Sequence, residues 1–199
     1  MFGAKFRDFL SKNFDAETAK EIDEKMQYET WVTAPGLPPV LLDFSTVLLK
    51  ESSAMADGYI SYNGSASPDN YADFFDFYSS LKVVFIERLS ARFSEVDLEI
   101  MERIDGDYNI TMTVDPECKQ RWFPLGIKKG YMPVFAQAHE FISTQGRLKY
   151  LTPIYQALLD AGQSDLAVTW YKENENFYHP MAKLKISKLL GLDGQMELE

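Results

Sequence analysis

The chain carries two histidines, His139 and His179, and a single cysteine, Cys118. Zinc hydrolysis calls for two histidines four apart on a helix with a glutamate beside the first, so that both imidazoles face the metal and the carboxylate serves as base. His139-Glu140-Phe141-Ile142-Ser143 comes closest, and the position that needs the second histidine is Ser143. Two histidines and one cysteine cannot make a three-ligand zinc set unless carboxylates do most of the coordination. No metal site is expected in this chain. His139 reads as a half-buried or surface residue in mid-helix, and His179, just before Pro180, as part of a helix corner. Lys119 and Arg121 could depress the pKa of Cys118, but no histidine is spaced to activate it as a nucleophile. No Gly-rich phosphate loop, Gly-x-Ser-x-Gly elbow or paired catalytic carboxylates stand out. No catalytic residue is expected.

The motif with a physical argument behind it is Gly146-Arg147-Leu148-Lys149-Tyr150. If Gly146 closes one helix, Arg147 and Lys149 fall in the first turn of the next, beside the positive end of the helix dipole, where cations are unfavourable. An anion would compensate. Two cations and free backbone N–H groups at a helix start suit a carboxylate, which the forked guanidinium can grip at two points. The plain alternative is that both side chains simply reach into water. The motif lies in a cation-rich stretch: from Lys119 to Lys149 there are six cations against one anion, Glu140, in a chain whose formal charge is −10. That net charge argues against nucleic acid as a partner.

The elements that must position these residues are helices. The 46% hydrophobic and 14% aromatic content of the 199 residues is that of a folded globular chain, long enough to bury a sizeable core. The lone cysteine and the lack of a signal-like start point to the cytoplasm, and no apolar run approaches the roughly 20 residues of a membrane helix. Phe6, Leu10 and Phe14 lie at fourfold spacing, the stripe of an amphipathic helix, and Asp15 is placed to cap the next one. Pro35, Gly36, Pro38 and Pro39 then predict a stiff connector over residues 28–40, which divides a helical arm (1–27) from the main domain (41–192). A tail follows at 193–199.

Within the main domain the spacing predicts a helix from Phe44 to about Tyr62 and a loop around Gly64 and Pro68. Ser79 or Ser80 is the expected cap of the next helix, Ser94 of the one after, and Gly106 its end. Asp115-Pro116 reads as an N-cap and a first-turn proline. Gly130, Gly146 and Gly162 then recur every 16 residues, and a further 16 reaches Tyr178. Each interval holds one amphipathic helix, so a helix pair is about 32 residues long, within the range of two-helix solenoid repeats. The only strand-like run, Ile110 to Val114, is short and isolated. The fold class is all-α, with stacked helix hairpins.

Several motifs, taken in order, closely resemble the C-terminal domain of leukotriene A-4 hydrolase and the aminopeptidase B-like zinc aminopeptidases. They are Tyr28-Glu-Thr-Trp31 with Ala34-Pro-Gly-Leu-Pro-Pro39, Arg121-Trp122, Gly146-Arg-Leu-Lys-Tyr150, Pro153-Ile-Tyr-Gln-Ala-Leu158, and Tyr178-His-Pro180 with Lys188-Leu-Leu-Gly-Leu192. The resemblance runs from about Phe6 to Leu192 and is weak from Ser52 to Asn70. It implies an armadillo/HEAT-like α-α superhelix of antiparallel helix pairs packed against a catalytic zinc domain, and it implies that residues 1–27 are the end of that preceding domain. In the family, the Arg and Lys of the motif matching Gly146 to Tyr150 hold the free carboxylate of a peptide or fatty-acid substrate. Carried over, these are Arg147 and Lys149.

The family's zinc motif and its Gly-x-Met-Glu-Asn peptide-anchoring motif are not in this sequence. The resemblance thus implies a domain that closes an active-site cleft and binds the substrate carboxylate without catalysing alone, with zinc supplied by a catalytic domain outside the chain. Whether epoxide hydrolysis accompanies peptide hydrolysis depends on residues elsewhere. The competing expectation is a free-standing helical solenoid that docks a protein partner, its cations gripping an acidic side chain or a C-terminus.

Overall fold

The computed structural model of the chain describes residues 2–36 and 45–192. By packing, the chain falls into two units, Met1–Phe44 and Ser45–Glu199.

The first unit contains α1 (Phe2–Asn13), α2 (Ala16–Met26) and α3 (Tyr28–Thr33). Asp15 caps α2 as the sequence leads one to expect, its carboxylate accepting from the Thr18 N–H at 2.9 Å. The stretch expected to begin the connector is helical instead: Tyr28–Thr33 forms α3. Gln27, at φ +49°, turns the chain between the two helices, and nothing breaks the backbone again before Pro35. The rest of the expected connector from residue 37, the expected helix start at Phe44 and the tail at 193–199 lie outside the described residues. Arg7 ties α1 to α2 through Asp23 at 3.0 Å and to α3 through Glu29 at 3.6 Å. Little is buried here: of α1 only Gly3 and Leu10 are covered, and Phe2, Phe9, Phe14, Trp31 and Val32 are exposed.

The second unit contains α4 (Val47–Ser61), α5 (Ser79–Ala91), α6 (Leu98–Tyr108), α7 (Pro116–Lys129), α8 (Pro133–Thr144), α9 (Leu148–Asp160), α10 (Ser164–Asn174) and α11 (Pro180–Leu189), with 3-10 turns at Tyr71–Asp76, Phe93–Glu95 and Ile110–Met112. No strand forms among the described residues, so the all-α class holds and the run at Ile110 is a turn. α5, α7, α9 and α11 contact one another in succession, while α8 and α10 touch each other and lie against α7 and α9. From α7 to α10, helices consecutive in the chain thus pack on one another and on the helix two elements away. Trp122, Tyr155, Phe85, Phe123 and Tyr59 are fully buried between them. Each such side chain contributes on the order of 1.5–3 kcal/mol of transfer free energy.

Local signals were of uneven quality. Asp115 caps α7 as expected, accepting from the Glu117 N–H at 2.8 Å with Pro116 at the first helical position. Ser79, however, is the first residue of α5, and its hydroxyl donates to the Asp115 carboxylate rather than capping its own helix. Asp97, not Ser94, caps α6, because the 3-10 turn at Phe93–Glu95 takes up Ser94. Gly106 does not end α6. The helix runs on to Tyr108 and stops at Asn109, whose φ is +51°.

Candidate functional site

The expected anion motif sits at the start of α9. α8 ends at Thr144, Gln145 is its C-cap, and Arg147 is the N-cap of α9 with Lys149 at the second helical position. Gly146 is therefore not a helix terminator, and it is not in the left-handed region. No side chain caps α9. Its leading backbone N–H groups and the positive end of its dipole thus face a cleft of about 370 Å³ lined by Gly146, Arg147, Leu148, Lys149, His179, Met181 and Ala182. The opposite wall is the start of α11, where His179 is the N-cap and its Nδ1 accepts from the Met181 N–H at 3.2 Å. With Nδ1 an acceptor, the neutral ring carries its proton on Nε2.

Tyr150 is the post on which both cations rest. Its ring is buried against Phe141, 5.3 Å between centroids. The Arg147 guanidinium carbon lies 5.4 Å, and Lys149 Nζ 5.5 Å, from the centre of that ring. From here the two cations differ. Lys149 Nζ donates to Glu117 Oε1 at 2.5 Å, and the Tyr150 hydroxyl donates to the same oxygen at 3.1 Å. Arg121 approaches the other oxygen of Glu117 at 3.3 Å and holds Glu87 at 2.6 Å. The Lys149 ammonium, then Tyr150 and Arg121, hold the Glu117 carboxyl below its usual range. Arg147 is exposed and makes no ion pair among the described residues.

The cation-rich stretch is largely neutralised in the same way. Arg121 pairs with Glu87, Lys128 with Asp160 at 2.6 Å, and Lys149 with Glu117. Lys119 lies over the rings of Phe123 and Phe141, and Lys129 lies 3.6 Å from the centre of Phe93. Sequence reasoning found both cations of the motif but missed Glu117, which precedes Lys149 by 32 residues. The signal was present in the two-helix cadence of the same length.

The remaining candidates are engaged in other contacts. His139 stacks on Trp170 at 4.8 Å, and its Nε2 lies 2.8 Å from Glu173 Oε2 but too far off line for a ring N–H hydrogen bond. Ser143 donates its hydroxyl to the His139 carbonyl, so it is spent on its own helix. No cluster of three His, Cys, Asp or Glu residues that could hold a metal exists among the described residues. Cys118 is buried, and burial together with Asp115 pushes its thiol up to about 12. Arg121, with Lys82, pulls it the other way but does not offset the burial. Cys118 lies one helical turn from Asp115, with Sγ 3.7 Å from the carboxylate. None of the described helices is long and apolar enough to cross a membrane.

Residues 77–190 match the family described as leukotriene A4 hydrolase, C-terminal. The chain is also similar to curated fungal proteins: 29% identical over 200 residues to leucine aminopeptidase 2-2 of Scheffersomyces stipitis, which covers 94% of this chain and 31% of that protein. Leucine aminopeptidase 2 of Lodderomyces elongisporus is 30% identical over 218 residues, covering 96% and 33%. Leucine aminopeptidase 2 of Aspergillus terreus is 27% identical over 187 residues, covering 94% and 30%. The chain spans about three tenths of the length of the curated relatives it matches.

Proposed function

The chain belongs to the leukotriene A4 hydrolase C-terminal family, and from that membership we propose that it serves as the C-terminal helical domain of a zinc metallo-aminopeptidase. In this reading it closes one side of an active-site cleft whose zinc and catalytic residues belong to another domain, and it binds the free carboxylate of a peptide or fatty-acid substrate through Arg147 and Lys149. The observation that carries the reading is the exposed Arg147 guanidinium at the uncapped start of α9, over an open cleft and without an ion pair among the described residues. The exposed Phe2, Phe9, Trp31 and Val32 of the first unit also support it, since an apolar surface of this kind suits a domain that packs against a larger body. A self-contained solenoid module would be expected to present a more polar exterior.

Arg147 supplies two parallel N–H donors, the geometry that matches a carboxylate, while the first N–H groups of α9 add donors aimed at the same cleft. Buried Tyr150 fixes the plane over which the guanidinium lies. When zinc is bound in the catalytic domain, it would supply the activated water. The residues of this chain only place the far end of the substrate. The cytoplasm is the expected setting.

The test joins the chain, covalently or by mixing, to a zinc peptidase domain of this family. The chain alone should turn over no peptide, and the joined protein should. In the joined protein, Arg147→Ala should lower kcat/KM by about 10- to 100-fold for a peptide with a free carboxylate and much less for its amide, the size of a lost charge-assisted hydrogen bond. Hydrolysis by the chain alone, or an equal loss on both substrates, would overturn the reading.

A further inference from the structure

The two cations of the motif are not equivalent. Lys149 is held within the chain by Glu117, whose oxygens also receive Tyr150 and Arg121, while Arg147 shares only the Tyr150 ring with it. Two positive charges over one ring repel, and a carboxylate beside one of them relieves that repulsion. Glu117 is itself well placed: it sits at the second position of α7, where the helix dipole favours an anion. The Lys149–Glu117 pair is only partly covered, with 43% and 33% of the two side chains exposed, so another carboxylate can reach the ammonium. A pair of this exposure is held weakly enough to exchange partners.

We propose that Glu117 is the built-in counter-carboxylate of the cleft: it occupies Lys149, so that Arg147 makes the first contact with a ligand's carboxylate and Lys149 joins only by leaving Glu117. This rests on reading the cleft as a carboxylate site and adds to it a residue that sets the site's strength. Glu117 is a positioning residue, since it acts through Lys149 and not on the ligand. The internal pair makes the site discriminating, because a ligand lacking a full negative charge cannot displace Glu117. It follows that Lys149 contributes little while Glu117 is present, and more once it is removed.

The measurement is an NMR titration of the 199-residue chain with trialanine and with trialanine amide, following the Arg147 side-chain N–H and the amides of Leu148 and Lys149. The chain should prefer the free carboxylate, and Arg147→Ala should abolish that preference. Glu117→Gln should tighten trialanine binding by about two- to fivefold, the worth of one partly exposed ion pair, and leave the amide unchanged. The gain should vanish in Glu117→Gln/Lys149→Met. Lys149→Met alone, which leaves α7 untouched, should cost less than about twofold. A Glu117→Gln chain that binds trialanine no better, or a Lys149→Met loss as large as that of Arg147→Ala, overturns the role of Glu117 while leaving the cleft a carboxylate site. No carboxylate preference, or one that survives Arg147→Ala, overturns the site itself.

Discussion

Lys149 Nζ lies 2.5 Å from Glu117 Oε1, although 32 residues separate them. The same separation joins Lys128 to Asp160, and Arg121 reaches Glu87 across 34 residues and Arg88 reaches Asp57 across 31. The first three spacings lie close to one helix pair of the cadence, and in each the cation meets an acid two helices away, whereas Arg88 and Asp57 tie the neighbouring α5 and α4. The acidic excess of the chain and the cationic stretch within it are two halves of one arrangement.

The densest of these ties is Asp57, which accepts from Arg88 at 2.8 and 2.9 Å and from Arg92 at 2.8 Å. The Arg88 hydrogen bonds, helped by Arg92, hold its carboxyl below the usual 3.8. A depressed carboxylate stabilises the fold above its unfolded pKa, and that contribution is lost as pH falls through the lower folded value. Asp57→Asn should therefore cost about 1 kcal/mol at pH 7, discounted for partial exposure. In urea titrations the gap between the two proteins should close as pH drops from 5 towards 3; a constant gap would rule the ion pairs out as its cause.

Tyr155 and Tyr178 form a buried chain in which the hydroxyls are 3.0 Å apart and Tyr178 donates onward to the Ile142 carbonyl at 3.2 Å. That carbonyl is among the last four of α8, which have no helical partner. Removing the Tyr178 hydroxyl strands both Ile142 and Tyr155, whereas removing that of Tyr155 strands neither. Tyr178→Phe should cost about 1–3 kcal/mol and Tyr155→Phe clearly less. Equal losses in chemical denaturation would contradict this donor order.

Gly126 of α7 lets α8 approach closely. A Cβ there would come within 2.8 Å of both methyl carbons of Val134. Gly126→Ala should lower stability by about 1–3 kcal/mol through overpacking, despite alanine's better helix propensity. The double variant Gly126→Ala/Val134→Ala should lose less than the sum of its parts, and strict additivity of the melting shifts would count against a steric cause.

Cys118 offers a direct check on burial. With its thiol pushed up to about 12, roughly one molecule in ten thousand is thiolate at pH 8. A disulfide reagent should label the folded chain orders of magnitude more slowly than the chain in 6 M guanidinium, and comparable rates would show the site open.

The sequence carried the all-helical class because amphipathic spacing and strong punctuation, Asp115-Pro116 above all, act over one or two turns. It was less informative where several polar residues competed for one role. Ser94 and Asp97 could both begin α6, and a 3-10 turn takes up Ser94 and leaves the cap to Asp97; Gly106 could have stopped it, but nothing presses on that glycine and the helix ends at Asn109. Arg147 and Lys149 stood out by their types and by likeness to a known motif. Their inequality did not, because it arises from Glu117 on a helix two elements earlier.

The corners between α7 and α8, α8 and α9, and α9 and α10 are each three residues long: 130–132, 145–147 and 161–163. Such short joints have no slack to absorb an added or deleted residue. A one-residue change in length would turn the following helix by about 100° and carry its cations away from their acids. Over evolutionary time this row of helices can therefore accept exchanges of side chain far more readily than changes in length, and drift in the sequence need not loosen the phase that keeps Lys149 opposite Glu117.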